Sequence, residues 1–382
     1  GGAGGAGGAG GAGAVGLDAG VGAWGVAPGY SPLLASAMIL ANDGISGAWK
    51  GQTRTPPVLG ADDPANLGRW APWVRSFVME TEILSHMAYR TGTRPVDAGL
   101  GGGDVATISV WHVDDAPAAD VDAPPAFAAP VRLATLTRPT AADFGGGQLD
   151  LVRGYADLRS DRLAEITTQL GFPTAYFASV IGLHPARNAR TLELIALAQG
   201  FAATVAMRCK HALACPRPDT YSVQIQPMIA MPGHGALPAA HAVEAFIVAE
   251  VLKHVADPTN EAPELRRMLD RAAARISVNR TVAGVHFPAD SLSGAMLGQT
   301  LGEYFCARAG AGTAVQAATF DGPGVGAEDF SLGTLMELDE GDWRRRSTDR
   351  IALAPASAAP EASSILGWLW QAARREWTDG DV

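Results

Sequence analysis

Residues 279–302 read NRTVAGVHFPADSLSGAMLGQTLG. Pro288 is a favoured first residue of a helix, because the N–H it lacks is one that a helix start leaves unpaired anyway. From there Gly294, Gly298 and Gly302 recur every four residues, a stripe small enough for a second helix to pack closely. Working outward, apolar residues recur at spacings of three and four, the helical period. Glu264–Ala283 carries Leu265, Met268, Leu269, Ala272 and Ile276, and Ala242–Val255 carries Val243, Phe246, Ile247, Val251 and Leu252. Thr191–Lys210 repeats Leu192, Ile195, Phe201 and Val205, and Gln148–Leu170 repeats Leu151, Tyr155, Leu158, Leu163 and Ile166. Residues 148–309 therefore read as a helical core.

The flanks are less regular. The first thirteen residues, GGAGGAGGAGGAG, cannot bury apolar surface, so 1–15 reads as a low-complexity arm. Within 16–147, helical patterns appear at 33–42 and 70–90, a glycine-rich break at 99–103 and a short strand at Thr107–Trp111. Residues 114–147 are rich in proline and alanine and read as an irregular wrap. Residues 310–382 form an irregular tail ending in SSILGWLWQAARREW, a candidate docking helix. The fold class this predicts is mostly α: a helix bundle with irregular N- and C-terminal segments.

Composition narrows the functions. The 382 residues carry 29 Lys and Arg against 39 Asp and Glu, a net charge of −10. That balance argues against a general nucleic-acid binder. Cys209, Cys215 and Cys306 are too few for a disulfide framework and read as scattered core thiols, with Cys209–Cys215 the alternative pair. The uncharged run Ala19–Asn42 is broken by Pro28 and Pro32, and its dense part, Leu33–Asn42, falls well short of the ~20 residues of a membrane span. No span is expected. A basic n-region is missing, so the expected compartment is the cytoplasm, with the periplasm as the alternative. A homo-oligomer is left open.

Three segments carry chemistry: Lys210 to Pro218 (KHALACPRP), Pro238 to His241 (PAAH) and Asn279 to Asp290. Lys210, Arg217 and Arg280 fall near predicted helix ends, and His241 and His286 near helix starts. Guanidinium forks and helix N-termini are anion-binding devices. Asp290, four residues after His286, can hold one ring nitrogen and leave the other as a free lone pair. The pattern predicts an oxyanion pocket with one nucleophilic or ligating histidine and one proton-transfer histidine. Each piece alone reads more readily as a surface charge, a helix-start pair or a loop and cap; the combination is what carries weight.

Spacing and order together resemble K-x6-R-P, P-S-G-H and S-R-x5-H-x3-D. These motifs belong to the superfamily of type 2 phosphatidic acid phosphatases, bacterial non-specific acid phosphatases and vanadium-dependent haloperoxidases. The matching positions are Lys210, Arg217, Pro218, Pro238, His241, Arg280, His286 and Asp290. The resemblance implies a helix bundle of the acid phosphatase/vanadium haloperoxidase type. It implies that Lys210, Arg217, Arg280 and the Ala240 N–H bind phosphate or vanadate oxygens. It also implies that His286 bonds the central atom, that Asp290 orients His286 and that His241 is the acid–base residue. The chain departs from the motifs at Ala239, Ala240 and Asn279, where the family has Ser, Gly and Ser. The Ala239 change removes a hydroxyl donor worth about 1.5–3 kcal/mol toward a charged group. His234 stands where bromoperoxidases of this superfamily carry a histidine. It reads equally as a loop histidine. His211 reads as structural, and His86, His112, His184 and His254 show no partner in the sequence.

The first function implied is a vanadium-dependent haloperoxidase, oxidising halide with peroxide at a vanadate cofactor on His286. The second is an acid phosphatase acting on phosphomonoesters through a phosphohistidine. A third, motivated by Ala239 and Ala240, is a decayed pocket in a structural or assembly protein. The partners expected are small molecules: halide and peroxide, or a phosphomonoester.

Overall fold

The computed structural model describes residues 32–48, 50–51, 54–56, 58–114, 122, 130–339 and 342–378. The expected arm at 1–15 and part of the expected wrap at 114–147 lie outside them. The described chain divides after Arg75 into two compact units. The first holds α1 (Pro32–Ser46), which leaves Leu33, Ile39, Leu40 and Ile45 exposed, and a short turn at Pro64–Arg69. Asp63 caps that turn by accepting from the Ala65 N–H at 2.9 Å. Next in the chain is α2 (Pro72–Ser85).

The second unit continues through β1 (Met87–Pro95), β2 (Asp104–His112), β3 (Val131–Thr137), α3 (Ala141–Asp143), α4 (Leu149–Gly154), α5 (Arg159–Thr168) and α6 (Thr174–Ile181). Then come α7 (Ala189–Leu213), α8 (Pro218–Tyr221), α9 (Ala240–Ala256), α10 (Pro263–Val282) and α11 (Pro288–Arg308). It closes with β4 (Ala318–Asp321), α12 (Leu332–Leu335), β5 (Met336–Asp339), β6 (Asp342–Arg345), β7 (Ile351–Leu353) and α13 (Ser364–Thr378).

The helical core forms where the periodicity places it, with one change. The single helix expected over Gln148–Leu170 is broken into α4, a 3-10 turn at Tyr155–Leu158, and α5. Helix α9 lies at the centre, packed against α7, α10 and α11. The glycine stripe of α11 faces it. A Cβ on Gly294 would lie 2.6 Å from Ala239 O, one on Gly298 2.5 Å from Val243 O, and one on Gly302 2.5 Å from Glu250 Cβ. The stripe is packing within the bundle. All three cysteines are free and buried.

The description mostly α needs a correction: a five-stranded mixed sheet, in the order β1-β2-β3-β4-β7, packs on the bundle. Strands β1–β2, β2–β3 and β4–β7 pair antiparallel, and β3–β4 pair parallel. Strand β2 shows why it forms: Ile108, Val110 and His112 alternate inward and are buried, and its neighbours Thr107, Ser109 and Trp111 are part-exposed. The other strands hide from local reading for physical reasons. Strand β1 is largely exposed and polar, so it has no apolar alternation, and the pattern over 70–90 reads as one helix where the chain leaves α2 and enters β1. Strand β3 lies inside the expected wrap and finds its parallel partner β4 far along the chain, Ala134 opposite Ala318. The tail is likewise ordered into β4–β7 and α13.

One segment bears on the expectation of no span. Ala189–Tyr221 reaches a mean hydropathy of 1.3 over its most apolar 18-residue window, enough by length and composition to cross a bilayer. Half of that window is buried inside the protein, and Leu194, Phe201, Val205 and Lys210 are among the buried residues of α7.

The α9–α11 contact makes a testable prediction. Alanine is about 1 kcal/mol better than glycine inside a helix, but at Gly298 its methyl would meet the Val243 backbone, which has no rotamer to yield. Gly298→Ala should destabilise by about 1–3 kcal/mol, the usual cost of overpacking, read as a lowered denaturant midpoint. A raised midpoint would contradict the close approach.

Candidate functional site

Lys210 sits at the C-terminal end of α7 with 2 % exposure. The helix stops at Ala214, whose left-handed backbone (φ 48°) turns the chain toward Arg217. Lys210 Nζ donates to Gly235 O at 2.9 Å and to Ala236 O at 2.7 Å. A Cβ on Gly235 would lie 3.0 Å from Lys210 O, so this loop needs a glycine to come so near. Arg217 is 5 % exposed. Its Nε donates to His234 O at 3.0 Å, and its terminal nitrogens donate to Val285 O, to His234 Nδ1 at 3.2 Å and to His286 Nε2 at 3.0 Å.

Two neighbours set the tautomer of His286. Arg217 can only donate, so Nε2 must accept. Asp290 Oδ2 lies 2.9 Å from Nδ1, and it also accepts from the Phe287 N–H at 2.9 Å. The proton therefore sits on Nδ1 and the lone pair on Nε2. Burial holds His286 well below the usual histidine value, and Arg217 and then Lys210 push it further down. The ring is neutral and its unprotonated nitrogen is oriented toward Arg217, the two conditions for a nucleophile or ligand.

The other half of the pocket is built on Gln169, which follows α5. His241, at the start of α9, places Nε2 2.9 Å from Gln169 O. A carbonyl only accepts, so Nε2 carries the proton and Nδ1 is the nitrogen left for proton transfer. Arg280 donates to Gln169 O at 3.3 Å and to Gln169 Oε1 at 3.0 Å, and its buried Nε has no partner. Asn279 donates to Gln169 Oε1 at 3.1 Å and to Glu165 Oε2 at 2.9 Å. Burial, then Arg280, brings His241 down to about 3, with smaller contributions from Lys210 and Arg217. His241 in turn depresses His286, so the two halves lie within electrostatic reach of one another.

The charge balance is unusual. Among the described residues no ion pair joins Lys210, Arg217 or Arg280 to a carboxylate. Their hydrogen bonds go to carbonyl and amide oxygens and to imidazole. Burial lowers Lys210, and brings Arg217 and Arg280 each to about 10. Buried cations without counter-charges are costly, and an oxyanion would relieve them.

Of the residues singled out from the sequence, Arg217, His234, His286 and Asp290 are joined directly, and Lys210 meets Arg217 at the Gly235 carbonyl. His241, Asn279 and Arg280 meet through Gln169. Ala239 is the buried N-cap of α9. It offers no side-chain cap, and its N–H donates to Asp290 O at 2.8 Å, which ties the start of α9 to the start of α11. Ala240 follows as the first helical residue, 6 % exposed. His211 is exposed. An open cleft of about 470 Å³ lies over Arg217 and His234, lined also by Cys215, Asp219, Thr220 and Met231.

Sequence reasoning missed Gln169, Gln148 and Glu244. Gln148 Oε1 accepts from the Ala289 N–H at 2.9 Å, holding the first turn of α11. Glu244 lies one helical turn after His241, and burial raises it to about 8 against the pull of Lys210. None falls in a pattern; a glutamine near a helix end carries no local signal.

The depressed histidines fix a pH dependence. Burial, and then Lys210, takes His234 to about 4, and His241 lies at about 3. Between those values and 6.5, the unfolded chain binds more protons than the folded one, so stability rises with pH across that window and is lost as pH falls through it. The slope of unfolding free energy against pH between 6.5 and 4 should shrink when His286 is replaced by Asn. An unchanged slope would mean that His286 titrates normally.

Residues 190–307 match the profile of the PAP2 superfamily, and that span contains all three motif segments. No curated protein sequence matches the chain. Among solved structures it is similar to the transmembrane PAP2-type phosphatidylglycerolphosphate phosphatase from Bacillus subtilis. The two are 20 % identical with a TM-score of 0.32, over 40 % of this chain and 80 % of that one; a likeness at that level carries no inference here. The PAP2 superfamily match thus covers Lys210, Arg217, His241, Arg280, His286 and Asp290 and leaves Gln169 outside it.

Proposed function

We propose that the pocket binds a tetrahedral oxyanion and hydrolyses phosphomonoesters. The observation that carries this reading is the geometry at His286, a neutral ring with Nδ1 on Asp290 and Nε2 beside the Arg217 guanidinium. Phosphoryl transfer asks the least of the residues present. It needs an oriented nucleophile, cations for the oxygens and one proton donor, and nothing else.

In the first step His241 Nδ1 has taken a proton from solvent as the phosphate dianion binds, His286 Nε2 attacks phosphorus, the ester P–O bond breaks, and the leaving alkoxide takes that Nδ1 proton. In the second, water attacks the phosphohistidine, His241 takes the proton from that water, and phosphate departs. Lys210, Arg217 and Arg280 hold the three equatorial oxygens.

A second reading, peroxide-dependent halide oxidation, is favoured by one contact: His234 Nδ1 accepts from Arg217 at 3.2 Å, beside the cleft. The donor set suits vanadate as it suits phosphate, since Arg280 Nε is an unpaired buried donor and His286 Nε2 carries the ring's lone pair, which here accepts from Arg217. Lys210, Arg217 and Arg280 would hold the vanadate oxygens and His286 Nε2 the vanadium. When bound, vanadate supplies a Lewis-acidic centre for activating peroxide toward halide.

Parallel assays on the full chain separate these readings. Wild type should bind vanadate and hydrolyse p-nitrophenyl phosphate, His286→Ala should lose hydrolysis, and Asp290→Ala should bind vanadate about 10–100-fold more weakly, the usual effect of losing an orienting partner. Vanadate-dependent halide oxidation without hydrolysis would transfer the assignment to the second reading. Binding of neither anion would overturn both and leave a decayed pocket.

Ala239 tests the departure from the motif. A serine there supplies the missing N-cap oxygen for α9, which should stabilise by about 0.5–2 kcal/mol in denaturant melts. If the hydroxyl instead turns to the anion, vanadate binding tightens about tenfold or more. Neither change would mean that position 239 reaches neither the helix N–H groups nor the anion.

A further inference from the structure

We propose that His86, His112 and Asp114 form a site for a divalent transition-metal ion of the zinc class, separate from the oxyanion pocket. Each residue offers one ligand atom, and the three atoms lie within 4.8 Å of one another. No other group of three such side chains converges in this way among the described residues.

The local backbone builds the site. Glu82 and His86 are four residues apart at the end of α2, hence on one helical face. His112 ends β2, and Asp114 follows two residues later with its Oδ1 beside the His112 ring. The Val113 N–H donates to His86 O at 2.9 Å, which joins the two segments side by side.

Each ring is held by its other nitrogen. His86 Nδ1 lies 2.8 Å from Val113 O, which can only accept, so the proton is on Nδ1 and the Nε2 lone pair is free. His112 Nδ1 lies 3.0 Å from the Tyr304 hydroxyl, and its Nε2 lies 2.7 Å from Asp114 Oδ1. Metal-binding histidines donate one ring N–H to a carbonyl, carboxylate or water and turn the other nitrogen to the metal; His86 has that arrangement through Val113 O, and at His112 a metal would take the place of the Nε2 proton now shared with Asp114.

Size and charge agree. Two bonds of about 2.1 Å at a tetrahedral angle put ligand atoms about 3.4 Å apart. Asp114, with a side chain 35 % exposed, has room to rotate into that spacing. Arg308 bonds Glu82 at 3.0 Å and lies 3.8 Å from Asp114. One guanidinium against two carboxylates leaves a negative charge beside two imidazoles, and His112 is 1 % exposed. A divalent cation compensates that charge and staples the end of α2 to β2. Three protein ligands leave a fourth position for water.

The test uses the full chain, stripped with a chelator and titrated with Co²⁺ as a spectroscopic probe and then with Zn²⁺ in competition. Expected are one equivalent bound, a visible tetrahedral Co²⁺ spectrum that Zn²⁺ displaces, and a Zn²⁺-dependent rise in Tm. His86→Gln should weaken binding at least about tenfold and remove the Tm rise. Asp114→Asn, isosteric and part-exposed, should do the same without touching the core, and it decides the matter if His86→Gln fails to fold. His286→Ala should keep the spectrum. Absence of saturable binding, binding unchanged in Asp114→Asn, or binding lost with His286→Ala would each overturn the proposal.

Discussion

One residue, Asp290, ties His286 to the packing of the two central helices. Asp290 Oδ2 accepts from His286 Nδ1 and from the Phe287 N–H, and Asp290 O accepts from the Ala239 N–H. The same residue thus orients His286, closes the first turn of α11 and positions the start of α9. These three jobs require α9 and α11 to run close together at their N-terminal ends. That closeness is what the glycines supply, since a side chain at Gly294 would displace Ala239 itself. Helix packing and site geometry are therefore one constraint.

The helical core and the site histidines were legible because their signals are local. His286 and Asp290 share one helix start, and Lys210 and Arg217 flank one helix end. Periodicity marks α7, α9, α10 and α11 because each buries one face or more against its neighbours. The sheet was not legible for the opposite reason. Ala134 pairs with Ala318 across most of the chain, and no window of residues contains both halves of that contact. The polar strand β1 adds no apolar alternation to announce itself. The cluster at His86 and His112 failed to show for the same reason: the β1–β2 pairing, not their spacing in the chain, brings them together.

Gln169 is the clearest case of a site residue beyond local reading. Its carbonyl accepts from His241 and Arg280, and its side-chain oxygen accepts from Arg280 and Asn279. A neutral amide can do this where a carboxylate would not serve. A carboxylate at this point would neutralise Arg280 outright and compete with any oxyanion. The amide gives the guanidinium hydrogen bonds without cancelling its charge. Asn279, standing where the motif has serine, fits the same arrangement by bridging Gln169 and Glu165.

The depressed histidines and the unpaired cations are two sides of one balance. His241 is held at about 3 by burial and then by Arg280, with Lys210 and Arg217 adding to it. In that state it cannot donate a proton at neutral pH. A phosphate dianion among those cations would offset most of their charge and, hydrogen-bonded to His241, favour the protonated imidazole. The proton donor would then be armed by the substrate that needs it, and His241 would return to a base when the departing alcohol takes its proton. His286 escapes this swing at Nδ1, because the Asp290 carboxylate keeps that proton engaged throughout. The division of labour between the two histidines follows from their partners: a backbone carbonyl, which only fixes a tautomer, for His241, and a carboxylate, which holds one, for His286.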